Sequence, residues 1–144
     1  MISRLFNSCF ENSMRILLLL SVAEKPLDLD LVVCLDLFAT NGKAYGFLSE
    51  NLHGDGLNPK ASIGHRRKAY KKALAELVGR GFVDVINGKN GVTYTINLIG
   101  EGESNSIDCD YASKYKNNVI TVIRLLSHKT RGEILRLAGY DGRL

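Results

Sequence analysis

The densest charge in this chain lies between Lys60 and Lys72, where Lys60, Arg66, Arg67, Lys68, Lys71 and Lys72 occur with no acidic residue among them. Cations at helical spacing suit one chemistry above others, the neutralisation of a polyanion, in which each side chain replaces a counterion at a phosphate. On a helical wheel, His65, Lys68, Lys71 and Lys72 point outward, whereas Arg66 and Arg67 lie within about 60° of Tyr70, beside the apolar residues. Two readings stand side by side. In one, Lys60, His65, Lys68, Lys71 and Lys72, joined by Lys89 farther along, form a nucleic-acid-binding surface. In the other, the lysines solvate a helix face, and Arg66 and Arg67 are structural or interface arginines that pair with acids such as Glu11 or Asp36.

Other reactive residue types do not assemble into a motif. His53, His65 and His128 lack metal-ligand spacing to one another or to cysteine, and there is no C-x-x-C or H-E-x-x-H. The glycines around Gly54 are not followed by the G-K-[ST] with which a P-loop cradles phosphate. Asp108-Cys109-Asp110 has the look of a two-carboxylate metal site but reads as a helix start, where acidic residues meet the positive end of the dipole. Tyr111 and Tyr115 could stack on bases, yet their spacing of four, continued by Val119, is that of a packing stripe. The sequence therefore predicts no enzyme, no cofactor and no metal.

The chain has 144 residues, of which 45% are hydrophobic, enough for one core of ordinary size. Lys plus Arg number 19 against 15 Asp plus Glu, a mild surplus that permits a polyanionic partner without requiring one. Cys9, Cys34 and Cys109 are odd in number and far apart, as expected of reduced thiols in a cytoplasmic protein. The apolar run from Ile16 to Leu20, even extended to Ala23, is too short for a membrane span of about 20 residues, and Glu11 before it does not suit a signal peptide.

The elements that must position these side chains can be read from caps and periodicity. Ser8-Cys9-Phe10-Glu11 has the spacing of a capping box for a first helix reaching about Glu24. Asp28 caps a second that carries Leu31, Leu35 and Phe38 and stops at Asn41-Gly42. A loop over residues 43–60 is punctuated by Gly46, Gly54, Gly56 and Pro59. Ser62 caps a third helix, with Ile63, Tyr70, Leu74 and Leu77 on one face, that ends between Gly79 and Gly81. Phe82 to Ile86 and Val92 to Ile96 alternate as strands of a hairpin. Gly100 to Asp108 is polar and turn-rich. A helix with Tyr111, Tyr115, Val119, Val122 and Leu126 on one face follows, and Thr130-Arg131-Gly132-Glu133 opens a short last helix ending at Gly139.

Three helices, the third leading into a hairpin, give a mainly α fold with a β-hairpin in the order of a winged helix-turn-helix, although the loop before the third helix is long for that fold. The expected organisation is a winged-helix-like domain over residues 1–99 and a helical extension over 100–144. The first two helices carry more apolar surface than a small core needs. A protein interface is therefore expected over residues 10–38, with Phe10, Met14, Leu19, Leu20, Val33 and Leu37 as its candidates.

Several residues in order resemble the middle component of bacterial ABC-three-component, or Lamassu-type, antiviral defence systems. They are Phe6-Asn7, Glu11 and Arg15-Ile16-Leu17, then Leu27-Asp28-Leu29 and Leu35-Asp36. Leu52-His53, Arg66-Arg67 and the run from Leu77 to Val83 follow. The resemblance spans most of the chain, but the stretch from Gly42 to Leu52 is shorter and less polar than that pattern, and beyond Tyr115 the match is only in helical character. It implies a non-catalytic adaptor that joins an SMC-like ABC ATPase and helps couple sensing of foreign double-stranded DNA to an effector subunit, often a nuclease. The alternative from the residues alone is a stand-alone winged-helix transcription regulator, a homodimer with sequence-specific DNA affinity.

Overall fold

A helix that is apolar around its whole circumference has to be covered on every side. The computed structural model describes residues 9–53 and 59–140, with backbone alone for residues 9–11, and in it α1 (Cys9–Val22) is enclosed in this way. Ile16, Leu17, Leu18, Leu19 and Leu20 are each at most 2% exposed. α2 (Leu29–Thr40) is equally enclosed, with every residue from Val32 to Thr40 buried. Asp28 caps it as expected, its carboxylate accepting from the Leu31 amide at 2.9 Å. The proposed cap at Ser8 and the side chains of Phe10 and Glu11 lie outside the described residues.

The chain leaves α2 through Asn41 and folds back on it. Phe47 and Leu48 donate to the Gly42 carbonyl and Leu52 to that of Thr40, while the rings of Tyr45 and Phe47 meet Phe38 edge-on at 4.8 and 5.0 Å. A short 3-10 turn over Pro59–Ser62 then leads into α3 (Ile63–Gly79). Ser62 occupies the N-cap position but does not cap. Its hydroxyl instead donates to the Pro59 carbonyl at 2.8 Å and accepts from Arg66 Nε at 3.0 Å. The predicted stripe holds, with Ile63, Tyr70, Leu74 and Leu77 all buried.

β1 (Val83–Gly88) and β2 (Gly91–Ile96) form an antiparallel hairpin from Val83 opposite Ile96 to Gly88 opposite Gly91, joined by Lys89 and Asn90. Gly91 takes a φ of 117°, a left-handed conformation that favours glycine. The other edge of β2 is also paired. Leu27, between α1 and α2, exchanges two backbone hydrogen bonds with Tyr94, at 3.0 and 2.8 Å.

After the hairpin, the structure departs from the sequence expectation. The polar stretch from Gly100 is α4 (Leu98–Ser106), capped by Asn97, whose side chain accepts from the Gly100 amide at 2.9 Å. A boundary between residues 99 and 100 falls inside this helix. Gly100 is the reason a turn-like composition can be helical here, because the helix start packs against the Phe82 carbonyl and Ile96 with no room for a Cβ. Gly100→Ala is accordingly expected to lower stability by about 1–3 kcal/mol through overpacking, although alanine is by propensity the better helix former by about 1 kcal/mol. A thermal melt checks this, and a raised midpoint would show that the contact is not tight.

α5 (Asp110–Leu125) and α6 (Arg131–Ala138) complete six helices among the described residues. Cys109 stands at the N-cap of α5 with Asp110 in its first turn, the helix-start role expected of that acidic pair. Both halves of the Thr130–Glu133 capping box are present, and α6 ends at Gly139 with φ 103°. These helices are not an appendage. Ala112, Tyr115, Val119, Val122, Leu126, Ala138 and Tyr140 join the same core cluster as α1, α2 and α3.

That packing corrects the expected interface. Met14 is 8% exposed and Leu19, Leu20, Val33 and Leu37 at most 2%, so none of them can meet a partner. The apolar surplus of the first two helices is taken up inside the chain, where α5 packs on both, α4 on α1 and α6 on α2.

Candidate nucleic-acid interface

The geometry of α3 separates its lysines from its arginines. Gly64, His65, Lys68, Lys71, Lys72, Ala75 and Gly79 are exposed and fall within an arc of about 120° on a helical wheel. Lys68, Lys71 and Lys72 make no ion pair among the described residues. Arg66 and Arg67 face elsewhere, as the wheel indicates.

Arg66 reaches a buried carboxylate. Asp36, wholly enclosed on α2, receives Arg66 Nη1 at 3.0 Å on Oδ2 and Arg15 Nε at 3.2 Å on Oδ1. Tyr115 donates to Oδ1 at 2.7 Å, and the hydroxyl of Tyr70 makes a very short bond to Oδ2. Arg15 also donates to Tyr70 Oη and to Asn12 Oδ1, both at 2.9 Å. One carboxylate thus joins α1, α2, α3 and α5. Burial alone would push its carboxyl up, but the Arg15 and Arg66 guanidiniums and the two phenol donors outweigh it and hold the carboxyl below its usual range. Burial and the adjacent carboxylate push the Tyr70 and Tyr115 phenols well up, so both stay protonated as donors.

A second, more exposed cluster ties the start of α2 to α3, to the start of α6 and to Tyr140. Arg67 Nε bonds Asp30 at 2.8 Å, Arg131 Nε bonds Asp28 at 2.7 Å, and Tyr140 donates to Asp30 at 3.2 Å. Both arginines are paired within the chain, Arg66 with Asp36 and Arg67 with Asp30.

The two pairs should differ in energetic weight. Arg66→Ala is expected to cost about 3 kcal/mol, because it strips one of two guanidiniums from a buried carboxylate. Arg67→Ala is expected to cost no more than about 1 kcal/mol, since that pair is open to water. Urea unfolding of the two variants checks the order, and equal losses would mean that the Asp36 cluster is not the stronger tie.

The remaining candidates are scattered. Lys60 lies in the 3-10 turn with its methylenes against Gly139, 2.9 Å from where a Cβ would stand. Lys89 is exposed at the hairpin turn, a strand length of about 20 Å from the end of α3. Tyr111 bonds His53 at 2.6 Å, and its ring lies between those of His53 and Tyr115. The tyrosines therefore pack, as their spacing suggested. Sequence reasoning missed Arg15 and the phenols of Tyr70 and Tyr115 as partners of Asp36, although an arginine inside an apolar helix was a signal that a buried acid must face it. No group of three or more His, Cys, Asp or Glu among the described residues could hold a metal ion, and no described helix is long and apolar enough to cross a membrane.

Fold and surface together define a mainly helical protein with one hairpin, a charged tie at its centre and a lysine face on its third helix. The chain belongs to the family described as ABC-three component (ABC-3C) system Middle Component 2, whose model matches residues 5–140. No curated protein and no solved structure matches it. Membership of a multi-component system implies partner components, and the family half of the sequence resemblance is thereby borne out.

Proposed function

We propose that this chain is the non-catalytic adaptor of a bacterial antiviral defence complex of the Lamassu type. It joins an SMC-like ABC ATPase in the cytoplasm and helps couple recognition of foreign double-stranded DNA to release of an effector, often a nuclease. The observation that carries this reading is the family match, which runs from α1 through α6.

The geometry supports it in two ways. Large apolar side chains remain exposed on the hairpin and the start of α4, among them Leu98 at 84% and Ile99 at 66%, with Val85, Ile86 and Val92 also open. A surface of this kind suits a protein partner and replaces the one expected on residues 10–38. The pairing of Leu27 with Tyr94 also places a one-residue strand beside β2, giving the order Leu27, β2, β1. This order supports reading the sheet as that of a winged helix with its first strand reduced to a bridge. In that fold α3 is the helix offered to duplex DNA and the Lys89 turn is the wing.

The test is size-exclusion chromatography with light scattering on the tagged chain, purified alone and from its native operon. Co-elution with a large ATPase supports the adaptor. A homodimer that recruits nothing from the operon sinks that reading and favours the transcription regulator.

A further inference from the structure

We infer that the exposed face of α3 binds the phosphate backbone of duplex DNA without reading its sequence. The inference rests on the proposed DNA contact and specifies its mode.

The carrying observation is which side chains this face has and which it lacks. Its residues are Gly64, His65, Lys68, Lys71, Lys72, Ala75 and Gly79. Bases are told apart by amides that match adenine, carboxylates that accept from cytosine, and cationic donors on guanine, where the rigid guanidinium fork fits both acceptors better than a rotatable ammonium does. The exposed arc has no amide, no carboxylate and no free fork. The two forks on the helix are held from behind, Arg66 by Asp36 at 3.0 Å and Arg67 by Asp30 at 2.8 Å. What remains, beside the His65 imidazole, are three ammonium groups on flexible stems, compact charges with rotatable donors that suit phosphates in many arrangements.

Gly64 leaves room on the same face. It lies in the first turn of α3, where a Cβ would meet nothing within 4 Å, so a partner can come close to the backbone there, as a phosphate does at the amides of a helix start.

An acidic protein surface is the other polyanion that could meet these lysines. Duplex DNA is favoured because the face combines small residues with like charge along about 17 Å of helix from Gly64 to Ala75. That shape lets a rod-like polyanion lie close. It also lacks the apolar anchors that protein interfaces use at their centres.

The experiment uses the full chain co-purified with its partner components, and measures fluorescence anisotropy with labelled duplexes of equal length and unrelated sequence over a range of salt. The expected result is equal affinity for all duplexes within about threefold. Affinity should fall at least tenfold in the triple variant Lys68→Gln, Lys71→Gln, Lys72→Gln, with the salt slope reduced by about 3, near one unit per lost phosphate contact. Unchanged DNA affinity in the triple variant overturns the inference, as does a preference above about a hundredfold for one duplex. Loss of a partner from the triple variant, with DNA binding intact, assigns the face to an acidic protein and also overturns it. Circular dichroism verifies that the variant is folded. Because complex formation is scored separately by co-elution, failure of the adaptor reading and failure of this inference give different results.

Discussion

Asp36→Ala is expected to lower the free energy of unfolding by about 3–5 kcal/mol, the range for removing one partner from a buried ion pair. The loss is large because of what stays behind. Arg15 is 5% exposed and cannot reach water without opening the core, so its guanidinium would be left charged and half-satisfied beside Tyr70. For a chain of this size the midpoint should fall by roughly 10–20 °C. Tyr115→Phe, which removes one donor and keeps the ring, should cost only about 1–2 kcal/mol. Urea unfolding with unchanged slope separates the two, and an Asp36→Ala variant as stable as the parent would show that the cluster does not organise the core.

The same carboxylate sets an acid limit. Its folded-state pKa is depressed, so the unfolded chain binds its proton at higher pH than the folded one does. The stabilisation is therefore complete above the ordinary carboxylate value of about 3.9 and is lost as pH falls through the lower folded value. Unfolding followed from pH 7 downward should show stability declining below about pH 4 in the parent, with the Asp36→Ala variant losing that part of the decline.

Phe38→Ala is expected to have a comparable effect, about 3–5 kcal/mol, through loss of transfer energy and the cavity left behind. Phe38 is fully buried, and the rings of Tyr45 and Phe47 lie edge-on to it. The substitution should therefore loosen the 42–52 segment as well. Hydrogen exchange would show this as faster exchange at Phe47, Leu48 and Leu52, whose amides bond back to Gly42 and Thr40. Destabilisation without faster exchange there would mean that backbone bonds alone hold the segment.

Both variants bear on function through position. The lysine face is presented by α3, and α3 is fixed by Arg66 and Tyr70 on Asp36 from one side and by Arg67 on Asp30 from another. Holding the arginines inward keeps the lysines outward. The central cluster thus fixes α3 and, with it, the direction of the face proposed to meet DNA.

Much of the local structure was determined by the sequence alone. The Asp28 cap, the Thr130–Glu133 capping box, the left-handed stop at Gly139 and the stripe of Ile63, Tyr70, Leu74 and Leu77 were legible because each depends on neighbours within a turn or two. The outward direction of His65, Lys68, Lys71 and Lys72 was legible for the same reason, and the residue pattern along the chain was enough to indicate the family. Only the tertiary structure decided where the apolar surplus of α1 and α2 goes, that a glycine-containing polar stretch is α4, and which groups surround Asp36. Its partners stand between 21 and 79 residues away along the chain. A helical period specifies a face but not what covers it. That is settled by packing among elements distant in sequence, where burying a charge is tolerable only when every donor around it arrives together.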